Sequence, residues 1–294
     1  MLDVVPLRYG TAFKKAFSDP LAFHALVRAA VGIDFMPDRV EQEYSYREPV
    51  ARINVAYDLF AEDKARRTIV ELLHVCDKSS YDRFLHYHAV GMIEQITSSD
   101  RYVFDRDVYT LVVFTRWPDE PALRFGRAIC NFDPVTDEGA ALGVYRHRLV
   151  FINARAPLER LPEALRPLVG LIEDTLDGQV DEARYGDEVS QHILARIRRE
   201  RMTATENARL KDEATWEAAK REERQEGRAE GHAEGRAEGL TEGRAAELRT
   251  GVADLCEAYG LTLTPAQQAH LASLDLGGLE ALRSHIKRER RWPG

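Results

Sequence analysis

Hydrophobic residues recur at helical spacing near the start of the chain. Phe13, Phe17, Leu21 and Leu26 follow one another at intervals of four or five positions, which is typical of helices that bury one face. Pro20 interrupts the pattern, and proline is accepted in the first turn of a helix but not in its interior. The spacing therefore predicts two short helices in succession.

Alternation of side chains replaces helical spacing between residues 52 and 63. In "RINVAYDLFAED", Ile53 and Leu59 point one way while Asp58 points the other. The apolar run "TIVELLHV" follows after the charged segment "DKAR". Two such runs joined by a short turn predict an antiparallel hairpin, and "PDRVEQEYSYREPV" predicts a strand before it.

The next segments alternate between helix and strand patterns. "SSYDRFLHYHAVGMIEQI" predicts a helix, "VYTLVVFT" a buried central strand, "YRHRLVFINA" another strand, and "PLERLPEALRPLVGLIEDTL" a return to helix. Because strands and helices are interspersed, we expect an α/β fold in which helices flank a mixed sheet. We assign this domain to residues 1–185.

Beyond residue 185 the chain becomes far more polar. Residues 186–248 predict a long helix that ends in a repeat of four residues, "EGRAEGHAEGRAEGLTEGRA". Residues 249–294 predict a small helical unit in which Gly260 ends one helix, Thr264 caps the next and Pro265 occupies its first turn.

The repeat places its glutamates in a ladder of like charge, with arginines on the far side of the helix. Glutamate and arginine are two positions apart, so ion pairs at three or four positions do not form within the repeat, and each interior glycine costs about 1 kcal/mol relative to alanine. Two interpretations stay open: glycine and alanine rows pack helices of two chains together, or the segment is a mobile spacer. We favour a homo-oligomer formed through the C-terminal helices.

Charge and composition narrow the class of protein. The net charge of -8 argues against a surface that is basic throughout, although a local basic cleft remains compatible with it. Three cysteines, Cys76, Cys130 and Cys256, are widely spaced and form no CxxC motif, which favours free thiols in a reducing compartment. No apolar run reaches the length of a membrane span. We therefore expect a cytoplasmic protein with no membrane partner.

Asp58 and Glu71 lie on the two strands of the predicted hairpin. If the hairpin closes at "EDKAR", the two carboxylates approach each other near one end of the sheet. Such a pair can hold a hard divalent cation through oxygen ligands, and the cation can activate water and offset charge on a phosphodiester. The alternative is that two acids merely stand at strand edges.

Several motifs together resemble the recombination-promoting nuclease and transposase family of the PD-(D/E)XK nuclease superfamily. The matching stretches, within about residues 9–247, are "FKK" at 13–15, "YDLFAED" at 57–63, "IVEL" at 69–72, and Arg83 with Tyr87. The resemblance implies a restriction-endonuclease-like fold, Mg²⁺ (or Mn²⁺) held by Asp58 and Glu71, and cleavage of DNA.

The sequence departs from that family at two places. Leu73 stands where the superfamily has lysine, or glutamine in many members of this family; leucine can neither orient water nor stabilise developing charge. The aspartate that relatives carry near the first helix is replaced within "RYGTAF". Lys78, just beyond the second strand, is a candidate substitute for the missing lysine.

The basic residues suggest where DNA would lie. Lys14, Lys15 and Arg83 are candidates for contact with phosphates, unless these charges are simply solvated. Arg83 and Tyr87 lie four positions apart on one helix face, as expected for a pair that either faces nucleic acid or supports the hairpin. Three functions are therefore open: a magnesium-dependent DNA endonuclease, a catalytically inactive relative that binds DNA or self-assembles through its helical tail, or a structural coiled coil with an incidental head.

Overall fold

A computed structural model describes residues 1–46, 55–74, 78–96, 103–118 and 120–293. Strands in chain order are β1 (Leu2–Asp3), β2 (Glu41–Tyr44), β3 (Tyr57–Glu62), β4 (Arg66–Leu73), β5 (Asp107–Phe114), β6 (Arg127–Asn131), β7 (Arg148–Asn153) and β8 (Gln179–Val180). The central element is a six-stranded sheet with the order β2-β3-β4-β5-β7-β6.

Parallel and antiparallel pairing are combined in this sheet. β4, β5 and β7 run parallel in its centre, whereas β2 and β3 on one side and β6 on the other pair antiparallel. β1 and β8 form a separate two-stranded sheet. The predicted mixed sheet flanked by helices and the predicted β3–β4 hairpin are thus confirmed.

Eight α-helices are present in the described part of the chain. They are α1 (Gly10–Phe17), α2 (Pro20–Val31), α3 (Lys78–Ile93), α4 (Arg166–Asp174), α5 (Glu188–Ile197), α6 (Ala204–Ala258), α7 (Pro265–Ser273) and α8 (Leu276–Glu289). None of them combines the length with the apolar composition required to cross a bilayer.

Strand β5 is covered by packed side chains on both faces of the sheet, which explains why "VYTLVVFT" is largely apolar. Leu111 and Val113 pack into the cluster that α1, α2, α4 and α5 form on one face of the sheet. Val112 and Phe114 pack with Phe84 of α3 on the opposite face. Because both faces are covered, a polar side chain on this strand would have no solvent to meet.

The break between α1 and α2 follows from local capping. The carboxylate of Asp19 accepts hydrogen bonds from the main-chain N–H groups of Leu21 and Ala22. Pro20 occupies the first helical position, where it removes no intrahelical hydrogen bond. Gly32 ends α2 in the left-handed conformation, with φ of 75°. The predicted pair of N-terminal helices is therefore present.

The compact units of the chain differ from the predicted boundaries. Unit one spans Met1–Thr215 and unit two spans Trp216–Gly294, so the first extends well past residue 185. Helix α5 belongs to it because Ile193 and Leu194 lie fully buried in its core. The single long helix predicted from residue 186 is interrupted: α5 ends at Ile197, the backbone leaves the helical conformation at Arg198, and α6 carries the rest of the polar segment together with the repeat.

Unit two has its own small core. Val252 and Cys256 of α6 pack against Leu271 of α7 and against Leu279 and Ile286 of α8. Gly260 adopts a φ of 70° after the end of α6, and the side chain of Thr264 accepts a hydrogen bond from Gln267 N–H in a capping box. The predicted helix signals at these positions are confirmed.

The sequence pattern does not predict strand β6. It lies at the edge of the sheet, and most of its side chains are exposed or half-buried. Such a strand carries neither an apolar run nor a regular alternation. The signal that identifies it is its pairing with β7, which the sequence does not contain locally.

Candidate metal and phosphate site

Asp58 and Glu71 meet at the point where β3 and β4 separate. The antiparallel register pairs Leu59 with Val70, so Asp58 and Glu71 occupy the next positions along the two strands. The main-chain N–H of Asp58 donates to Glu71 Oε1 at 3.0 Å, and the N–H of Leu72 donates to Asp58 Oδ2 at 3.0 Å. Each carboxylate thus accepts a hydrogen bond from a main-chain N–H group at the point where the two strands separate.

Burial distinguishes the two acids. Glu71 is only 1% exposed and faces the same side of the sheet as Ile69, whereas the side chain of Asp58 is 28% exposed. Burial raises the pKa of Glu71 well above its usual value, and the nearby charge of Asp58 raises it further. Burial also raises the pKa of Asp58. Two such carboxyls resist ionising together unless positive charge enters between them.

Lys14 of α1 lies beside this pair. Its Nζ atom donates to Glu43 Oε1 at 2.8 Å and lies 3.9 Å from Asp58 Oδ1. The ammonium lowers the pKa of Asp58 and of Glu71, opposing the larger effect of burial. Lys14 therefore sits at the outer side of the acidic pair.

Glu43 holds Lys14 from an unusual backbone conformation. It lies on β2, where Gln42 pairs with Leu59 and Tyr44 with Tyr57, so its position is opposite Asp58. Its φ of 53° is in the left-handed region, which is uncommon for a residue with a side chain and occurs preferentially at functional sites. The bond from Lys14 lowers the pKa of Glu43. Nothing in "EQEY" indicates the positive φ of Glu43, so the sequence alone does not identify this residue.

Arg83 approaches the pair from α3. Its side chain is exposed, and its guanidinium carbon lies 5.1 Å from the ring centroid of Phe84 and 5.2 Å from that of Tyr87. Its charge lowers the pKa of Asp58 and Glu71, though less than burial raises them. Arg83 therefore adds positive charge beside the two acids.

Tyr87 packs against the hairpin, which is one of the two roles predicted for it. Its half-buried ring packs edge-on against Tyr57 and Phe84, with centroids 5.8 and 6.0 Å away. Its main-chain carbonyl accepts a hydrogen bond from the hydroxyl of Tyr57 at 3.1 Å. Tyr87 thus supports the stacking surface beneath Arg83.

Lys15 is directed away from the acids and towards the beginning of α6. Its Nζ donates to Glu206 Oε2 at 2.7 Å and to the carbonyl of Arg201 at 2.8 Å. These bonds connect two helices of the first unit. Lys15 is accordingly an internal link rather than a member of the acidic site, in contrast to its predicted role beside Lys14.

Two positions bear on the missing lysine: Lys78, its candidate substitute, and Leu73, which stands at the lysine position itself. Lys78 begins α3, but its side chain lies outside the described residues. Leu73 is half-buried and packs against a cluster of aromatic and aliphatic side chains formed by Phe84, Val112, Phe114, Leu149 and Phe151. Leucine at position 73 therefore extends this apolar surface and carries no charge.

The first turns of α6 reach the same region. Glu213 Oε1 accepts hydrogen bonds from Thr11 N–H at 3.0 Å and from Thr11 Oγ1 at 2.5 Å, and Arg209 Nη1 lies 3.7 Å from Glu43 Oε1. Since Tyr9 provides no side-chain cap, Glu213 caps α1 from 202 positions away in sequence. No local pattern in the sequence indicates this contact.

The carboxylates of Asp58 and Glu71 fit a hard divalent cation that takes only one or two ligands from the protein. In proteins Mg²⁺ is commonly held by one or two carboxylates, with waters and substrate phosphates completing its shell. Asp58 and Glu71 supply two carboxylates of raised pKa, and positive charge at that place would relieve their repulsion. Within the described ranges, no group of three or more His, Cys, Asp or Glu side chains comes together.

Comparison of the chain with protein-family models, with curated proteins and with solved structures finds no match. The geometry of the site therefore carries the functional argument.

Proposed function

We propose that this protein is a magnesium-dependent endonuclease that cleaves DNA phosphodiesters, with the cation held by Asp58 and Glu71. The observation that carries the proposal is the meeting of these two carboxylates at the separation of β3 and β4, with 3.0 Å bonds fixing each of them. A mixed sheet with helices on both faces is compatible with a restriction-endonuclease-like arrangement, which is part of the proposal.

Each residue around the pair has a defined task in this proposal. The N–H groups of Asp58 and Leu72 orient the two carboxylates. Arg83, which is exposed above the rings of Phe84 and Tyr87, binds a phosphate of the DNA backbone, because arginine matches phosphate geometry. Bound Mg²⁺, or Mn²⁺ in its place, supplies Lewis acidity and lowers the pKa of water.

Plasmid nicking with Mg²⁺ or Mn²⁺ tests the proposal. We expect the wild-type protein to nick DNA and Asp58→Asn and Glu71→Gln to lose activity by at least about 100-fold, since each removes a ligand charge. Asp38→Asn is the matched control, because it removes one negative charge from an exposed residue. Equal nicking by wild type and Asp58→Asn rejects the assignment.

A second candidate is a catalytically inactive protein that binds DNA or self-assembles through its tail. The observation that favours it is the packing of Leu73 into the apolar cluster beside α3, which leaves β4 without a lysine. In this case the wild-type protein has no nicking activity with either cation, while its oligomeric state depends on α6.

The repeat of α6 supports self-association in either case. Its glycines, from Gly227 to Gly243, have nothing within 4 Å of an added Cβ atom, so packing within the chain does not explain them. Rows of small residues four apart allow two helices to approach closely. We propose that two or more chains associate there, with glutamate rows facing arginine rows; a mobile spacer is the alternative.

A further inference from the structure

We propose that Lys14 supplies the cationic group of the active site from helix α1, in place of a lysine on strand β4. The inference rests on the proposed nuclease function and assigns the residue that contacts the scissile phosphate. It is based on where the Lys14 amine lies, how it is held, and why β4 offers no amine of its own.

The amine of Lys14 lies beside the acidic pair. Lys14 Nζ lies 3.9 Å from Asp58 Oδ1, and the side chain is only 15% exposed. Its charge acts on both Asp58 and Glu71, lowering the pKa of each. A phosphate oxygen bound next to these carboxylates would therefore come within reach of the ammonium.

Its anchoring argues against a chance surface contact. The amine donates to Glu43 Oε1 at 2.8 Å, and Gln42 Nε2 donates to the carbonyl of Lys14 at 3.4 Å, so β2 holds both ends of this residue. Glu43 maintains its position at a φ of 53°, a conformation that has an energetic cost for a non-glycine residue. Arg209 of α6 lies 3.7 Å from the same Glu43 oxygen. One ammonium carries three N–H donors, and the bond to Glu43 uses one.

The residues of β4 explain why the positive charge would come from Lys14 of α1. Glu71 and the residue two positions later point to the same face of β4, and at that later position Leu73 packs with Phe84 and Phe114. Leucine fills this position with an apolar contact and supplies no positive charge. Lys14 reaches the acidic pair from α1, on the side of the more exposed Asp58.

The role is electrostatic and requires no proton transfer by Lys14. Hydrolysis forms a bond between the oxygen of water and phosphorus and breaks one backbone P–O bond, and the proton of the water passes through solvent to the departing alkoxide. Lys14 keeps its proton and donates a hydrogen bond to a non-bridging phosphate oxygen, where negative charge develops. Lysine is a common point-charge ligand of phosphate.

The test compares Lys14→Met with Lys15→Met in the full chain. Both remove one lysine charge from the same helix, but Lys15 is bonded to Glu206. We expect Lys14→Met to lower single-turnover cleavage roughly 100- to 1,000-fold, as loss of a transition-state donor does. Lys14→Arg keeps the charge and retains more activity than Lys14→Met, while Lys15→Met stays within about threefold of wild type.

Binding of Mn²⁺, measured by calorimetry without DNA, gives a readout independent of cleavage. Removing a positive charge beside Asp58 should tighten Mn²⁺ binding by about 3- to 20-fold, since like charges a few ångströms apart repel. A Lys14 amine that lay away from Asp58 in solution would leave Mn²⁺ binding unchanged when removed.

The outcomes separate this inference from the proposed function. Cleavage by wild type that Lys14→Met leaves unchanged overturns the role of Lys14 and leaves the nuclease proposal standing. Loss of cleavage in Lys78→Met but not in Lys14→Met assigns the missing charge to Lys78 and has the same consequence. Unchanged or weaker Mn²⁺ binding in Lys14→Met also overturns it. A wild type that neither binds Mn²⁺ nor cleaves DNA overturns both.

Discussion

The main-chain N–H of Asp58 donates to Glu71 Oε1 across a 3.0 Å bond, at the position where β3 leaves β4. In a continuous hairpin this N–H group would face the main chain of the neighbouring strand. Here the carboxylates of both residues replace part of the ladder, since Asp58 Oδ2 accepts from Leu72 N–H. The paired part of the hairpin thus ends at two acids. Burial of Glu71 disfavours its ionised form.

Glu71→Gln should change how stability depends on pH. Burial raises the pKa of Glu71 in the folded protein above its ordinary 4.5, so protonation of Glu71 stabilises the folded state relative to the unfolded chain. This stabilisation is fully present below the unfolded pKa. It is lost as the pH rises through the folded pKa. Glutamine keeps an oxygen acceptor for Asp58 N–H and cannot ionise, so the variant should lose less stability between pH 5 and pH 8.

In buffer without metal, the melting temperature of the wild type should therefore fall relative to that of Glu71→Gln as the pH rises above the unfolded pKa. Thermal unfolding in a chelating buffer at several pH values measures it, with Asp38→Asn as the control for removal of one negative charge. Parallel pH profiles for wild type and Glu71→Gln would contradict the burial of an ionisable Glu71.

Glu213→Ala should loosen the beginning of α1. Its carboxylate accepts two hydrogen bonds from Thr11 and is the side-chain cap that Tyr9 does not provide. Loss of a helix cap typically costs about 1 kcal/mol. Hydrogen exchange of the amides in α1 should become faster, whereas Glu222→Ala, an exposed substitution on the same helix, should leave it unchanged. Equal exchange in the two variants would show that α6 does not cap α1.

Shortening the chain tests the tail. A truncation after Thr215 keeps α5 and the capping turns of α6 with the first unit, whereas a cut near residue 183 would remove Ile193 and Leu194 from the core. We expect the chain of residues 1–215 to fold and to be monomeric in light scattering, and the full chain to be larger than one protomer. The same oligomeric state for both would remove the assembly role from the tail.

Alanine at Gly231, Gly235 and Gly239 separates two explanations of the repeat. Each substitution should stabilise the helix itself by about 1 kcal/mol, and an added Cβ meets nothing within 4 Å in the chain. If these glycines form the contact between helices, the methyl groups should push the helices apart and weaken association while helicity rises. Sedimentation combined with circular dichroism measures both; stronger helix formation with unchanged association would favour a spacer.

Local patterns in the sequence were sufficient for the hairpin and for the helix signals. Alternation in "YDLFAE" and the short charged turn after it predicted β3 and β4, and the register of that pair brings Asp58 beside Glu71. Pro20 and Thr264 act within one helical turn of their own positions, so their effect is visible in the sequence.

The remainder of the site arises from contacts between distant segments. Glu43 meets Lys14 across 29 positions, and Glu213 meets Thr11 across 202; neither pair leaves a periodic signal. Lys14 and Lys15 are identical and adjacent in sequence, yet the helix turns one towards Asp58 and the other towards Glu206. Only packing of α1 between β2 and α6 distinguishes their roles.

Anomalous diffraction from crystals of the wild-type protein soaked in Mn²⁺ tests the central claim most directly. We expect a peak within about 2.5 Å of carboxylate oxygens of both Asp58 and Glu71, absent from Asp58→Asn crystals treated in the same way. A Mn²⁺-bound crystal with no peak between these two residues, or with the ion held entirely elsewhere, would contradict the assignment.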